Sequence, residues 1–171
     1  MTEKDLFLKA IHIAPHLAVP YFYLGSILAI GEKIRLFNGT LMTQQELFIK
    51  AIQCNPNLDL VHYYLGLTLP LDGKIKLLDG TWMTIQDLFI KEISLNNSFA
   101  AVYHQLGAIM PDNGRIRLLD GTWVTDKDLF LKAIHLDSNL AAAFYDLGVI
   151  LPVNGRVTLL DGNKMTKELI S

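Results

Sequence analysis

The residues of this chain that could do metal or nucleophilic chemistry are five histidines and one cysteine. A zinc site needs three or four such ligands to converge on one ion. His12 and His135 occupy equivalent positions in the first and fourth copies of a sequence repeat that is described below. Three repeats therefore separate them, and they cannot bind one metal ion. The other histidines have no cysteine or paired carboxylate at ligand spacing: His16, His62 and His104. We therefore expect no metal site, and the lone Cys54 excludes an internal disulfide.

No polar constellation occurs only once in the chain, as a catalytic site would require, because nearly every polar residue has a counterpart one repeat away. The glycines stand at turn and packing positions, and none forms a phosphate-binding loop after a strand. The sequence therefore predicts a protein without enzymatic activity and without a cofactor.

A repeat of 41 residues is the clearest feature of the sequence. Its markers are the pairs Leu24-Gly25, Leu65-Gly66, Leu106-Gly107 and Leu147-Gly148. The same step separates the phenylalanines Phe7, Phe48, Phe89 and Phe130. A fixed period of this size is typical of solenoids, whose units bury their apolar faces against their neighbours. We therefore expect one solenoid over residues 1–164, with copies at 1–41, 42–82, 83–123 and 124–164, and residues 165–171 as the truncated start of a fifth copy that acts as a C-terminal cap.

Each copy contains the signals of two helices. A threonine followed three residues later by an acid is a capping box, as in Thr125 and Asp128. The apolar residues that follow have helical spacing. A second helix is predicted from about Leu140 to Leu151, where Pro152 ends it.

The end of each copy alternates between apolar and polar residues around an Asn-Gly or Asp-Gly pair, which predicts a β-hairpin. A two-residue loop would pair Leu77 with Trp82, whereas a three-residue loop with a bulge would pair Lys76 with Trp82. The predicted fold is therefore mainly α, a right-handed α-α superhelix with one short β-hairpin per copy.

Two copies depart from the pattern. The first has Ala29 and Glu32 where the second has Pro70 and Gly73, so we expect a frayed or altered connection there. The third has Glu92 where the other copies have alanine.

An aromatic residue before Leu-Gly, then Phe-x-x-Ala and a closing proline on the next helix, recurs along the chain. It appears as Tyr21-Phe22-Tyr23-Leu24-Gly25, then Phe48-Ile49-Lys50-Ala51, then Pro56. This pattern resembles the tetratricopeptide repeat (TPR) family. A standard copy has about 34 residues, and the excess here falls in the hairpin between the two helices of a standard copy. The sequence departs from the pattern at three positions: His62, Asn97 and Ser138.

In the family, the Leu-Gly helix lines a concave face that binds peptides, so the resemblance implies a protein-binding groove. Its central positions here are Phe22, Tyr23, Tyr63, Tyr64, His104, Gln105, Tyr145 and Asp146. The family's receptor for acidic C-terminal tails needs lysine, arginine and asparagine in this groove, and no matching position carries one. The alternative is that some of these rings pack between neighbouring helices.

Basic residues recur at one register of the hairpins: Lys33, Arg35, Lys74, Lys76, Arg115, Arg117 and Arg156. This basic ladder could meet a phosphate or an acidic partner. The alternative is that it protects exposed strands from pairing with other strands. Trp82 and Trp123 share another register, and we expect them to cover the helices rather than bind a ligand.

The amino-acid composition argues against several classes of protein. Apolar residues make up 51% of the chain, which excludes disorder, and the formal net charge of −2 argues against a dedicated nucleic-acid binder. No signal peptide or membrane-spanning segment is predicted, so a cytoplasmic location is expected.

We expect a non-catalytic scaffold that binds a peptide or helix of another protein in the aromatic groove. The alternative is a binder of nucleic acid or anionic lipid through the basic ladder. The fourth copy is predicted either to self-associate, through Phe144, Leu147 and the tail of residues 165–171, or to continue into a longer array.

Overall fold

The computed structural model describes residues 1–111 and 114–167. Within them the order helix, helix, strand, strand occurs four times, once for each 41-residue step of the sequence. The mainly α fold with small antiparallel hairpins is therefore confirmed.

The helices and strands have these bounds. The first helices of the copies are α1 (Glu3–Ile13), α3 (Gln44–Cys54), α5 (Ile85–Leu95) and α7 (Asp126–Leu136). The second helices are α2 (Ala18–Ser26), α4 (Val61–Leu67), α6 (Ala100–Ala108) and α8 (Ala141–Ile150). The hairpins are β1 (Lys33–Arg35) with β2 (Leu41–Thr43), β3 (Lys74–Lys76) with β4 (Trp82–Thr84), β5 (Arg115–Arg117) with β6 (Trp123–Thr125), and β7 (Arg156–Thr158) with β8 (Lys164–Thr166).

The chain forms two compact units, Met1–Leu88 and Phe89–Ser171. In the first unit, α2 packs against α1 and α3, and α3 packs against α4. In the second unit, α7 packs against α6 and α8. Of the segment predicted to cap the chain, Met165 and Thr166 belong to β8, and residues 168–171 lie outside the described residues.

The capping boxes are confirmed. The Thr43 backbone N–H donates to Glu46 Oε2 at 2.7 Å, and Thr43 Oγ1 accepts from the Glu46 backbone N–H. Equivalent pairs open α1, α5 and α7. The strands β2, β4 and β6 therefore each end at the threonine that caps the next helix. The strand β8 ends at the equivalent Thr166.

The hairpin register is the one with the three-residue loop. Lys76 pairs with Trp82, and the Leu77 backbone N–H donates to Thr81 O at 2.8 Å. Gly80 has a φ of +92°, a left-handed conformation that glycine adopts without steric cost. This settles the choice that the sequence left open.

The leucine and the glycine of each Leu-Gly pair have different roles in packing. Leu24, Leu65, Leu106 and Leu147 are fully buried. Glycine instead gives room to a phenylalanine of the following copy, as at Gly25 beneath Phe48 and at Gly107 beneath Phe130.

The connection after α2 is not frayed, because it keeps the backbone turn of the later copies and differs only in the side chains that support it. The Glu32 backbone N–H donates to Ala29 O at 3.0 Å, as Gly73 donates to Pro70 O at 2.7 Å. Proline has no N–H at this position, but Ala29 has one, and it donates to Glu32 Oε2 at 3.2 Å. Glutamate therefore satisfies the donor that proline lacks in the other copies.

Candidate functional site

The groove residues of the first unit divide into buried and accessible side chains. Tyr23 on α2 is exposed, and Tyr64 on α4 is half-buried. Phe22 and Tyr63 are buried, at 7% and 9% exposure. Burial raises the pKa of the Tyr63 hydroxyl, so this side chain stays neutral at physiological pH.

The two buried rings belong to an aromatic cluster. Phe22 packs edge-on against Tyr64 with ring centroids 5.4 Å apart, and its centroid lies 6.0 Å from that of Phe48. Tyr63 meets Tyr64 edge-on at 5.6 Å. Phe22 is therefore a packing residue between neighbouring helices rather than an accessible groove residue, because its ring faces other rings of the core.

The groove residues of the second unit form a polar pair at the corresponding place. His104 on α6 is buried, and its Nε2 lies 2.7 Å from Oδ2 of Asp146 on α8. The His104 ring also packs on Phe130, with centroids 5.9 Å apart. Gln105 is half-buried, whereas Tyr145 is 66% exposed.

These two arrangements occupy the same register. His104 stands where the first copy has Phe22, and Asp146 stands where the second copy has Tyr64. An aromatic contact in one unit is thus replaced by a histidine–carboxylate pair in the other. The sequence named all four residues, but it did not predict that they meet in pairs.

The accessible part of the predicted groove is a stripe of apolar side chains on each of two second helices. On α2 and its C-cap, Val19, Tyr23 and Ile27 are exposed and four residues apart. On α8, Tyr145 and Val149 have the same spacing and are 66% and 59% exposed. Residues four apart share one helix face, so each helix presents a continuous apolar strip. We call these the second-helix stripes.

Comparison with known proteins leaves the family open. Neither protein-family models nor curated protein sequences gave a match to this chain. The function must therefore be argued from the geometry of the described residues.

The seven residues of the basic ladder are all exposed. No ion pair joins any of them to a carboxylate of the described chain. Two guanidinium groups instead donate to carbonyls of their own turns, Arg35 Nη1 to Gly39 O at 2.8 Å and Arg117 Nε to Gly121 O at 3.1 Å. Asp79 and Asp120 accept backbone N–H groups within their turns, and no salt bridge of the described residues joins either of them to the ladder.

The expectation that Trp82 and Trp123 cover the helices is wrong. They are 57% and 58% exposed. Side chains alternate between the two faces of a strand, and Met83 packs on the core beside Trp82. Trp82 is therefore on the outer face, where the Lys74 ammonium lies 5.3 Å from its ring centroid.

Sequence reasoning gave no role to two buried polar residues. Glu92 is fully buried, and His62 is 2% exposed. Both are departures from the repeat pattern, which is the signal that marks them in the sequence.

Two further properties of the described residues bear on the site. Across residues 1–111 and 114–167, no group of three histidine, cysteine or acidic side chains is placed to hold a metal ion. No helix in the described part of the chain has the length and apolar character needed to cross a membrane.

Proposed function

We propose that the protein is a non-catalytic scaffold of TPR-like copies that binds an extended peptide or a helix of another protein on its second-helix stripes. The observation that carries this proposal is Tyr145 with Val149, two large apolar side chains more than half exposed on successive turns of α8. Val19, Tyr23 and Ile27 repeat the arrangement on α2. Exposed contiguous apolar surface is a feature of interaction sites.

The chemistry of the stripes favours a protein partner. Tyrosine buries a large rigid area with little loss of rotamer entropy, and its hydroxyl can still hydrogen-bond at the rim of an interface. The stripes carry no charged side chain, so affinity should come from buried apolar area and depend weakly on salt.

Peptide selection followed by calorimetry tests this proposal. Peptides are selected from a displayed random library on the immobilised chain, and their affinities are then measured for variants. We expect Tyr23→Ala or Tyr145→Ala to weaken binding at least about tenfold, the range of an interface hot spot. Lys127→Ala, at an exposed position of α7, serves as the control. Selected peptides that bind all variants equally would contradict the proposal.

A right-handed superhelix of the four copies is part of the proposal. The recurring element order and the packing of α2 on α3 and of α6 on α7 support it. Small-angle X-ray scattering would measure an elongated particle if the copies stack regularly, and a compact sphere would contradict the superhelix.

Self-association through the fourth copy is also proposed. Leu147, which was expected to take part, is fully buried and Phe144 is half-buried, so the support comes instead from the exposed apolar side chains of α8, which are Tyr145, Val149 and Ile150. Sedimentation velocity at increasing concentration should show a rising average mass that Tyr145→Ala lowers. A constant monomer mass would contradict this part.

Binding of nucleic acid or anionic lipid through the basic ladder is the second candidate function. The observation that favours it is that all seven cations are exposed and that no salt bridge within the described residues joins one of them to a carboxylate. The exposed Trp82 and Trp123 add aromatic surfaces on which bases can stack. A steep salt dependence, lost in the Arg115→Glu, Arg117→Glu variant, would support this function. Weak salt dependence would favour the second-helix stripes.

A further inference from the structure

A recess between a first helix and the turn of its own hairpin occurs in both units. In the second unit, a cavity of about 680 Å³ lies beside α5 and the β5–β6 turn. In the first unit, a smaller cavity of about 220 Å³ lies beside α3 and the β3–β4 turn. We call these two cavities the hairpin recesses.

The wall of the smaller recess is repeated as part of the wall of the larger one. Ile49 and Ile52 of α3 line the smaller one, with Leu78 of the turn. Every residue that lines it has its counterpart, one sequence repeat later, in the wall of the larger recess. The cavity is thus a property of the repeat and was not predicted from the sequence, because its walls are about 25 residues apart in the chain.

Exposed leucines border the recesses. Leu78 and Leu119, at the same register of successive turns, are 58% and 65% exposed. The larger recess also reaches the next copy, where Leu131 and the exposed Leu160 line it. An exposed leucine beside an apolar recess is available to bury area against a partner's side chain.

Most of the charged side chains that line the recesses are carboxylates, although basic-ladder residues stand on the same hairpins. Asp79 lines the smaller recess, and it accepts the Thr81 backbone N–H at 2.8 Å, which lowers its pKa and keeps it ionised at neutral pH. Asp120 stands in the same position in the larger recess and has the same cause for its lowered pKa. Asp128 also lines the larger recess, against a single cation, Lys132. Carboxylates therefore outnumber cations in both walls.

The first copy shows what changes when the recess pattern is altered. Phe37 replaces the turn leucine, and its ring packs edge-on against His12 with centroids 5.7 Å apart. Asn38 replaces the turn aspartate, and its Oδ1 still accepts the Thr40 backbone N–H at 3.0 Å. Asparagine therefore supports this turn as aspartate does, without the charge.

We propose that each hairpin recess is a protein-binding site of a second kind, which takes apolar side chains of a basic amphipathic segment. The apolar residues of the segment enter the recess, and its lysine or arginine residues face the turn aspartate of that recess. No residue of the second-helix stripes lines either recess, so these sites are independent of the proposed function assigned to the stripes.

The experiment uses the full chain and a fluorescein-labelled helical peptide made of leucine and lysine, with binding measured by anisotropy. A peptide of the same pattern with glutamate in place of lysine is the matched control. We expect the lysine peptide to bind at least about tenfold more tightly, because like charges oppose the glutamate peptide at the turn aspartates.

Three variants locate the binding. Leu78→Ser with Leu119→Ser should weaken the lysine peptide at least about tenfold, and their exposure means that folding does not depend on them. Asp79→Asn with Asp120→Asn should weaken it about two- to fivefold per exposed charge contact while the turns persist as at Asn38. Tyr23→Ala with Tyr145→Ala should weaken it less than the leucine variant does, since these residues belong to the second-helix stripes.

The same measurements can overturn the proposal. Equal binding of the lysine and glutamate peptides would remove the charge argument. Unchanged binding in the leucine variant would place the site elsewhere, and loss only in the tyrosine variant would assign the peptide to the second-helix stripes. Binding of neither peptide would exclude the recesses as a docking surface for a basic amphipathic segment.

Discussion

A Cβ atom added at Gly25 would lie 2.7 Å from Cε1 of Phe48. The same relationship joins Gly107 to Phe130, where the distance would be 2.8 Å. Real Cβ atoms do not approach another carbon so closely, so the phenylalanine ring needs a glycine beneath it. This contact links the second helix of one copy to the first helix of the next, and it accounts for glycine in the Leu-Gly pair.

Gly25→Ala and Gly107→Ala should each destabilise the protein by about 1–2 kcal/mol. Forcing a methyl group into a packed contact costs roughly 1–3 kcal/mol, and the better helix propensity of alanine offsets up to about 1 kcal/mol of this. Urea unfolding measures the difference. Ser26→Ala, at the exposed neighbouring position, is the control and should change little. Equal or greater stability in the glycine variants would mean that the rings are not held against the helices.

The His104–Asp146 pair should be replaceable by the aromatic pair found at the same register in the first unit. His104→Phe alone leaves Asp146 half-buried without its hydrogen bond, which costs roughly 1–3 kcal/mol. Adding Asp146→Tyr should recover most of this, because Phe22 and Tyr64 pack together at 5.4 Å. A double-mutant cycle measures the coupling, expected to be about 1 kcal/mol or more. Additive effects of the two substitutions would show that the residues act independently.

The capping carboxylate Glu46 should make stability depend on pH in the acid range. The backbone hydrogen bond from Thr43 lowers the pKa of Glu46 below its ordinary value of 4.5. A lowered folded-state pKa contributes stability above the ordinary value, and this contribution is lost as the pH falls through the folded-state pKa. Glu46→Gln should therefore be less stable than the wild type at neutral pH and converge with it below pH 4.5. Thermal unfolding across this range checks the result, and a difference that grows towards acid pH would contradict it.

Trp82 and Trp123 are the only tryptophans of the chain, so its indole fluorescence reports on the outer hairpin faces alone. Because both side chains are more than half exposed, acrylamide should quench the native protein almost as strongly as the urea-unfolded chain. Single Trp82→Phe and Trp123→Phe variants separate the two contributions. A protected, blue-shifted emission would show that the indoles are covered.

The sequence predicted what depends on local spacing and missed what depends on contacts between copies. Thr43 and Glu46 are three residues apart, so the helix start could be recognised directly. The hairpin register stayed open because Leu77 and Lys76 are both compatible with an Asp-Gly turn. The register determines which face of the strand carries Trp82, because side chains alternate between the two faces. Since the sequence left the register open, it could not predict that the tryptophans are exposed.

The candidate site was harder to predict because position within a copy does not determine burial. Phe22 and Tyr23 are adjacent and both aromatic, yet only Tyr23 is exposed. His104 and Asp146 are far apart in the sequence. The repeat pattern shows which positions of the copies are equivalent, but it does not show which non-equivalent positions contact each other. The hairpin recesses were missed for the same reason, since Ile90 and Leu119 approach only after the intervening helix and hairpin have formed.

Phe48, which packs on Gly25, belongs to the following copy, so the joint between the two copies is a contact that needs residues from both of them. A gene rearrangement that removes or duplicates one whole period, wherever it starts, would bring an equivalent glycine beneath an equivalent phenylalanine. Loss of any other length would separate the two partners. Arrays of this kind can therefore change in length by genetic recombination in steps of one period without inventing a new joint.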